Sequence, residues 1–249
     1  MSDRVLGVIP ARYGSSRLPG KPLKDICGKP MIQHVYLRAC EARLVDKVVV
    51  ATDDQRVVDA VRAFGGEAVM TSPDHPTGSD RVAEAADACG EDFTHVVNIQ
   101  GDEPLIPPQI IDEIVGALIS DPDCVMSTGC APISGEYVLS PNAVKVVTDA
   151  AGKALYFSRS LIPYPRNPAT AQAYEHIGIY AYTRDFLKKY ITLPPTPLSL
   201  AESLEQLRVL EHGYAIKVVK TAFPYDALSV DTEEDLNEVI RIWKERYGG

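Results

Sequence analysis

The chain has no excess of basic residues: 25 Lys and Arg stand against 34 Asp and Glu, a formal net charge of −9. Nucleic-acid and anionic-membrane surfaces need a Lys/Arg excess over a whole face, so neither partner is expected. Cysteine is sparse. Cys27, Cys40, Cys89, Cys124 and Cys130 are odd in number and contain no C-x-x-C. They suggest neither a zinc site nor a disulfide framework, and a reducing cytoplasm is the expected setting. Long hydrophobic runs are missing too: the six apolar or small residues before Ala11 are too short for a signal h-region, and no segment approaches a membrane span. Internal repeats, low-complexity tracts and long linkers are absent. With 249 residues, 45% of them hydrophobic, the chain can build one large or two small cores, and a single α/β domain with an insertion fits best.

Strand and helix patterns alternate. Buried-strand runs occur at Val5–Ile9, Val45–Thr52, Glu67–Thr71 and Thr94–Gln100, separated by helical spacing at Met31–Ala42, Gln55–Phe64 and Asp80–Cys89. Continuous apolar strands between helices predict a mostly parallel, Rossmann-like sheet covered on both faces. A helix at Pro108–Ile119 and a strand at Val125–Ile133 follow. The texture then changes, because Ala143–Thr148 and Ala154–Arg159 flank Asp149-Ala150-Ala151-Gly152, a hairpin signal. Leu161–Ala171 is proline-rich. Beyond it the pattern predicts a strand at His176–Tyr182, helices at Arg184–Ile191 and Leu200–His212, a strand at Ala215–Lys220 and a helix at Thr232–Tyr247. The antiparallel insertion is placed at about residues 120 to 190.

The first strand ends in Pro10 and the loop Ala11-Arg12-Tyr13-Gly14-Ser15-Ser16-Arg17-Leu18-Pro19-Gly20-Lys21-Pro22. It delivers Arg12, Arg17 and Lys21 to the carboxyl edge of the sheet, where ligands of α/β folds bind. Pro10, Pro19 and Pro22 forbid a helix through it. Gly14 and Gly20 allow close backbone approach to an anion, which makes the loop a candidate nucleotide cradle. It is not a P-loop, since five residues separate Gly14 from Gly20-Lys21 where four are required, and Pro22 replaces Ser/Thr. G-x-G-x-x-G is absent as well.

A second signal is Asn98-Ile99-Gln100-Gly101-Asp102-Glu103-Pro104, where a strand ends in an acid at the same sheet edge. Asp102 suits Mg²⁺, which commonly takes one or two carboxylates plus substrate phosphates, and Asp231 offers the second acid. Both also read as ordinary turn or helix-start residues, with Asp231-Thr232-Glu233-Glu234 resembling an N-terminus. A non-catalytic nucleotide sensor would need no such pair of acids. A glycosyltransferase would want D-x-D at a strand end, whereas Asp121-Pro122-Asp123 follows a predicted helix.

Taken with Gly28-Lys29-Pro30-Met31, Pro141-Asn142-Ala143-Val144-Lys145, Leu155-Tyr156-Phe157-Ser158-Arg159, His176-Ile177-Gly178-Ile179-Tyr180, Leu204-Glu205-Gln206-Leu207-Arg208 and Val230-Asp231-Thr232, these segments resemble the 3-deoxy-manno-octulosonate (Kdo) cytidylyltransferases of Gram-negative bacteria, collinearly from end to end. The resemblance implies magnesium-dependent attack of the anomeric 2-hydroxyl of Kdo on the α-phosphorus of CTP, giving CMP-Kdo and pyrophosphate for lipopolysaccharide synthesis. It implies catalytic roles for Arg12, Arg17, Lys21, Asp102 and Asp231, the two aspartates holding Mg²⁺. It further implies nucleotide contacts at Ala11, Arg12, Lys21, Ser79, Arg81, Gln100 and Asp102, and a homodimer contact in the inserted segment. Sequence chemistry alone favours reading Thr77-Gly78-Ser79-Asp80 as a helix cap.

For the sugar, Arg159, Arg166, His176, Tyr180, Glu205 and Gln206 match family positions, and arginine suits a carboxylate by bidentate pairing. On chemistry alone His176 reads as a satisfied strand histidine, and Glu205 and Gln206 as a solvated helix face. Lys145 reads as a surface lysine. Tyr164-Pro165 stands where many members carry tryptophan and an acid, which leaves Kdo, its 8-amino analogue or another sugar acid open as substrate.

Overall fold

A computed structural model describes residues 3–15, 17–90, 92–226 and 228–248; Ser16 of the N-terminal loop lies outside them. The chain divides into two compact units, Met1–Asp112 with Tyr225–Gly249, and Glu113–Pro224.

The first unit is built on β1 (Val5–Pro10), whose residues before Pro10 are all buried. A two-stranded antiparallel ribbon follows, β2 (Asp25–Ile26) with β3 (Lys29–Pro30). The sequence pattern did not reveal it, because strands of two residues carry no periodicity. Then come α1 (Met31–Cys40), β4 (Lys47–Thr52), α2 (Gln55–Ala63), β5 (Ala68–Met70), α3 (Gly78–Ala88), β6 (His95–Asn98) and α4 (Pro108–Ile119), the last carrying the chain into the second unit. The strands lie in the order β6-β1-β4-β5, every pair parallel. The proline-rich loop holds no α-helix, but a 3-10 turn forms at Lys21–Leu23. Pro22 is compatible with its first positions, and Gly20 precedes it at φ 67°, in the left-handed region.

The C-terminal helix Glu233–Tyr247 completes this unit. Leu236 and Val239 on it share one apolar cluster with Leu18, Ile26, Met31, Leu105 and Val230. That cluster positions chemistry, since the charged residues Arg17 and Asp231 are the immediate chain neighbours of buried Leu18 and Val230.

The second unit holds β7 (Met126–Ile133), β8 (Lys145–Thr148), β9 (Ala154–Ser158), β10 (Ala173–Thr183), α5 (Arg184–Tyr190), α6 (Pro197–Glu202), α7 (Gln206–Glu211) and β11 (Ile216–Lys220). β7 pairs antiparallel with β10 and parallel with β11, while β8 and β9 form the expected hairpin. Asp149 Oδ1 closes its turn by accepting from the amides of Ala151 (2.9 Å) and Lys153 (2.8 Å).

The single helix expected at Leu200–His212 is two. Pro197 starts the first behind a Thr196–Ser199 capping box, and Ser203 breaks it in the left-handed region at φ 53°. The break leaves the carbonyls of Glu202 and Ser203 outside any helix, where Arg159 takes them.

Candidate functional site

In the first unit four charged side chains from three separate chain segments meet. Lys21 Nζ donates to Asp102 Oδ2 at 2.8 Å and to Asp231 Oδ1 at 3.1 Å, and Arg17 pairs with Asp231 Oδ2 at 3.0 Å. Two backbone features bring the acids there. Gly101 approaches the end of β1 so closely that a Cβ would stand 2.6 Å from the Pro10 carbonyl oxygen, so the turn requires glycine. The amide of Val230 donates to the carbonyl of Asp102 at 2.9 Å, which ties the two acidic segments together.

Neither carboxylate is spent on local structure. Thr232, not Asp231, caps the C-terminal helix, in a capping box with Asp235, whose Oδ2 also accepts from the Asp231 amide at 3.0 Å. Asp231 is therefore left to face Lys21 and Arg17. Burial of Lys21 acts to lower its pKa, but Asp102 and Asp231 outweigh it and hold the ammonium above its ordinary value.

An ammonium between two carboxylates marks a place where positive charge is favoured. Among the described residues no group of three or more His, Cys, Asp or Glu could hold a metal ion. Two acids suit Mg²⁺ when phosphate oxygens and water complete its shell. Arg12 is exposed and makes no ion pair among the described residues, while Ala11 is buried with its amide on the carbonyl of Ala51 at 2.8 Å.

The Thr77–Asp80 segment is a capping box at the start of α3, as the helix-cap reading had it. Ser79 and Arg81 are nonetheless buried on that helix, and Gln100 is half-buried just beyond β6. Arg81 donates to Thr71 Oγ1 at 2.6 Å and to Asp53 Oδ2 at 3.0 Å. Asp53 is absent from the expected set. Its signal was the same as that of Asp102, an acid directly after a buried strand at the carboxyl edge.

In the second unit β10 carries a bulge between Ile177 and Tyr180. Thr128 lies opposite, its hydroxyl within reach of the carbonyls of Ile177 (2.9 Å) and Ile179 (2.7 Å) and of His176 Nε2 (3.0 Å). The distorted strand stacks His176 on Tyr180 with centroids 5.2 Å apart, and Phe157 meets the other ring edge-on at 5.2 Å. Burial in this aromatic packing pushes the His176 pKa down to about 3 and the Tyr180 pKa up. Tyr182 and Tyr190 continue the row, and the Tyr190 hydroxyl donates to Glu205 at 3.3 Å.

The solvated reading holds for Glu205, which is exposed, but not for Gln206, which α7 buries. Arg166 is exposed, and no side-chain contact brings it to the others among the described residues. Tyr164, at the departure from the family pattern, is exposed too.

Lys145 is no surface residue: it is fully buried, and its Nζ donates to the carbonyls of Ser140 (2.8 Å), Ala143 (2.5 Å) and Arg159 (2.6 Å). Burial lowers its pKa. Arg159 works in the same manner, donating to the carbonyls of Glu202 (2.8 Å), Pro141 (2.9 Å) and Ser203 (3.4 Å). Glu202 answers by accepting from Ser158 Oγ (2.6 Å) and the Arg159 amide (2.9 Å). Burial acts to raise the Glu202 pKa, but these hydrogen bonds prevail and leave it below the ordinary value.

A parallel α/β unit whose strand ends gather acids and cations is the framework of a nucleotide-activating transferase, and the family model for cytidylyltransferases matches residues 6–219. Two curated relatives are 3-deoxy-manno-octulosonate cytidylyltransferases. That of Geobacter metallireducens is 51% identical, covering 95% of this chain and 96% of the relative, and that of Solibacter usitatus is 50% identical, covering 98% and 96%. A solved structure of CMP:2-keto-3-deoxy-manno-octonic acid synthetase complexed with CTP superposes with a TM-score of 0.92 at 47% identity, covering 98% of this chain and 99% of that one. The chain belongs to the 3-deoxy-manno-octulosonate cytidylyltransferase family.

Proposed function

We propose that this protein transfers a cytidylyl group from CTP to the anomeric 2-hydroxyl of Kdo, releasing pyrophosphate and supplying CMP-Kdo for lipopolysaccharide synthesis. The carrying observation is the convergence of Asp102 and Asp231 on Lys21 Nζ, at 2.8 and 3.1 Å, at a strand end of a cytidylyltransferase fold. Such a group serves a triphosphate. Negative charge grows on the departing pyrophosphate, and Arg12, Arg17 and Lys21 oppose it with fixed positive charge.

Asp102 and Asp231 would hold magnesium, which supplies charge to the phosphoryl oxygens as the bond to phosphorus forms. Ala11, Ser79, Arg81 and Gln100 orient the nucleotide. Arg159, Arg166, His176, Tyr180, Glu205 and Gln206 receive the sugar acid, with Arg159 the residue suited to its carboxylate: among the described residues its guanidinium donates to neutral carbonyls and to no carboxylate. His176 stays neutral at working pH because burial disfavours its charged form. It therefore serves as a hydrogen-bonding group rather than a cation.

The reaction belongs to the cytoplasm. There the protein pairs as a homodimer through the second unit, whose Leu139, Leu155 and Leu200 are large apolar side chains left exposed. Pyrophosphate release, followed in a coupled assay with CTP or UTP and with Kdo or its 8-amino analogue, with and without Mg²⁺, tests the reading. Turnover is expected with CTP and Kdo in the presence of magnesium. CTP binding without turnover on either sugar would overturn it in favour of a nucleotide sensor, and preference for the 8-amino sugar would replace Kdo.

A further inference from the structure

Asp53 directly follows β4 and makes two contacts that point in different directions. Its Oδ1 accepts from the backbone amide of Tyr13, inside the cationic loop, at 3.3 Å. Its Oδ2 accepts from Arg81, on the first turns of α3, at 3.0 Å. One carboxylate thus joins the loop assigned above to the phosphates with the helix assigned to the rest of the nucleotide. Its side chain is only 17% exposed and that of Arg81 5%.

Both ends of this connection are themselves fixed. The Tyr13 ring lies under Arg56, whose guanidinium carbon is 3.5 Å from the ring centroid, and Arg56 is held by Asp54 through two bonds of 2.9 and 2.6 Å. On the loop side a Cβ at Gly20 would stand 3.1 Å from the Tyr13 hydroxyl, so the loop folds closely over that ring. At the other end Arg81 donates to Thr71 Oγ1 at 2.6 Å, and the Thr71 hydroxyl donates in turn to the carbonyl of Thr52 at 3.1 Å. The corner between β4 and α2 therefore serves as a fixed reference for two loops that one extended ligand would span.

We infer that Asp53 is a positioning residue that sets the cationic loop and the start of α3 at the separation a nucleoside triphosphate requires. This rests on the reading of the loop as a phosphate cradle. A merely structural Asp53 would neutralise buried Arg81 and nothing more, and Thr71 provides the comparison. Asp53→Asn and Thr71→Val both loosen Arg81, but only Asp53→Asn also takes the negative charge from the acceptor of the Tyr13 amide.

The experiment measures binding of inorganic pyrophosphate and of CTP, each with magnesium, to the full-length protein and both variants, together with KM for CTP and for Kdo. Loss of a charged hydrogen-bond partner predicts about tenfold weaker pyrophosphate binding in Asp53→Asn. KM for CTP should rise by about the same factor, with KM for Kdo within roughly twofold of wild type, as expected for a loss confined to one substrate. Thr71→Val should leave pyrophosphate binding within about twofold, because the Thr71 hydroxyl contacts Arg81 and the Thr52 carbonyl and nothing in the cationic loop. Equal pyrophosphate affinity in the two variants would overturn the inference. Should Asp53→Asn fail to fold, Asp53→Glu keeps the charge but displaces both contacts; it should still bind pyrophosphate several-fold more weakly, and wild-type affinity in it would overturn the inference. If the wild-type protein bound neither pyrophosphate nor CTP, the phosphate-cradle reading would fall instead.

Discussion

Each unit contains a lysine largely withdrawn from water, and the two are used in opposite ways. Lys21 faces two carboxylates, which hold its pKa up; Lys145 faces three backbone carbonyls, and burial brings its pKa down. In the first unit charge meets charge, so a polyanion with its metal can exchange partners with side chains already present. In the second unit Lys145 is bonded to neutral main chain and fastens residues 140, 143 and 159 into one piece. The difference teaches that a buried cation is informative only through its acceptors. Carboxylate acceptors mark replaceable electrostatics, and carbonyl acceptors mark architecture.

The largest effect should come from the acids. Asp102→Asn or Asp231→Asn is expected to lower pyrophosphate release by roughly a thousandfold or more while leaving the fold intact, since on the proposed reading each removes a ligand of the magnesium that would neutralise the phosphates. Circular dichroism and the coupled assay on the same samples decide it. Near-normal turnover in either variant would remove that residue from the reacting group.

The two lysines should then separate. Lys145→Met leaves three carbonyls without their donor and should cost on the order of 3 kcal/mol of stability in urea unfolding. Lys21→Met should cost about 1 kcal/mol or less, because its partners are partly solvated, yet should abolish turnover. Equal stability losses in the two variants would erase the contrast drawn here.

The smallest effect concerns His176. Its folded pKa of about 3 lies below the unfolded value near 6.5, so below pH 6.5 the unfolded chain takes up a proton that the folded chain refuses. The stability contributed by the neutral ring is complete above pH 6.5 and declines as pH falls toward 3, by up to about tenfold in the unfolding constant per pH unit. Urea midpoints at pH 7.5 and 5.0 should fall further in wild type than in His176→Phe. A wild-type slope retained in that variant would assign the decline to other groups.

Much of the first unit could be read from its residues. The alternation of apolar strands and helices predicts the parallel sheet though not its strand order, and the loop around Arg17 and Lys21 together with Asp102 and Asp231 points to the charged group, because each sits beside a strand end or a helix start. What could not be read depends on distant partners. The burial of Lys145 follows from carbonyls supplied by residues 140, 143 and 159, which no local pattern encodes. The break at Ser203 is accommodated by Arg159, more than forty positions earlier. The role of Asp53 depends on Tyr13 and Arg81, far from it in the chain, whereas its neighbour Asp54 does only the local work of capping α2.

The hydrogen bond from Val230 to the carbonyl of Asp102 has a consequence for how the molecule is made. The parallel strands and the cationic loop precede residues 230–239 in the chain, so until that segment is made their apolar cluster lacks Val230, Leu236 and Val239. A chain without that segment in place would expose Leu18, Leu105 and Met31 and hold Asp102 without Asp231 beside it. Docking of the segment that carries Val230 and Asp231, rather than formation of the sheet, is thus the event that brings the two acids together.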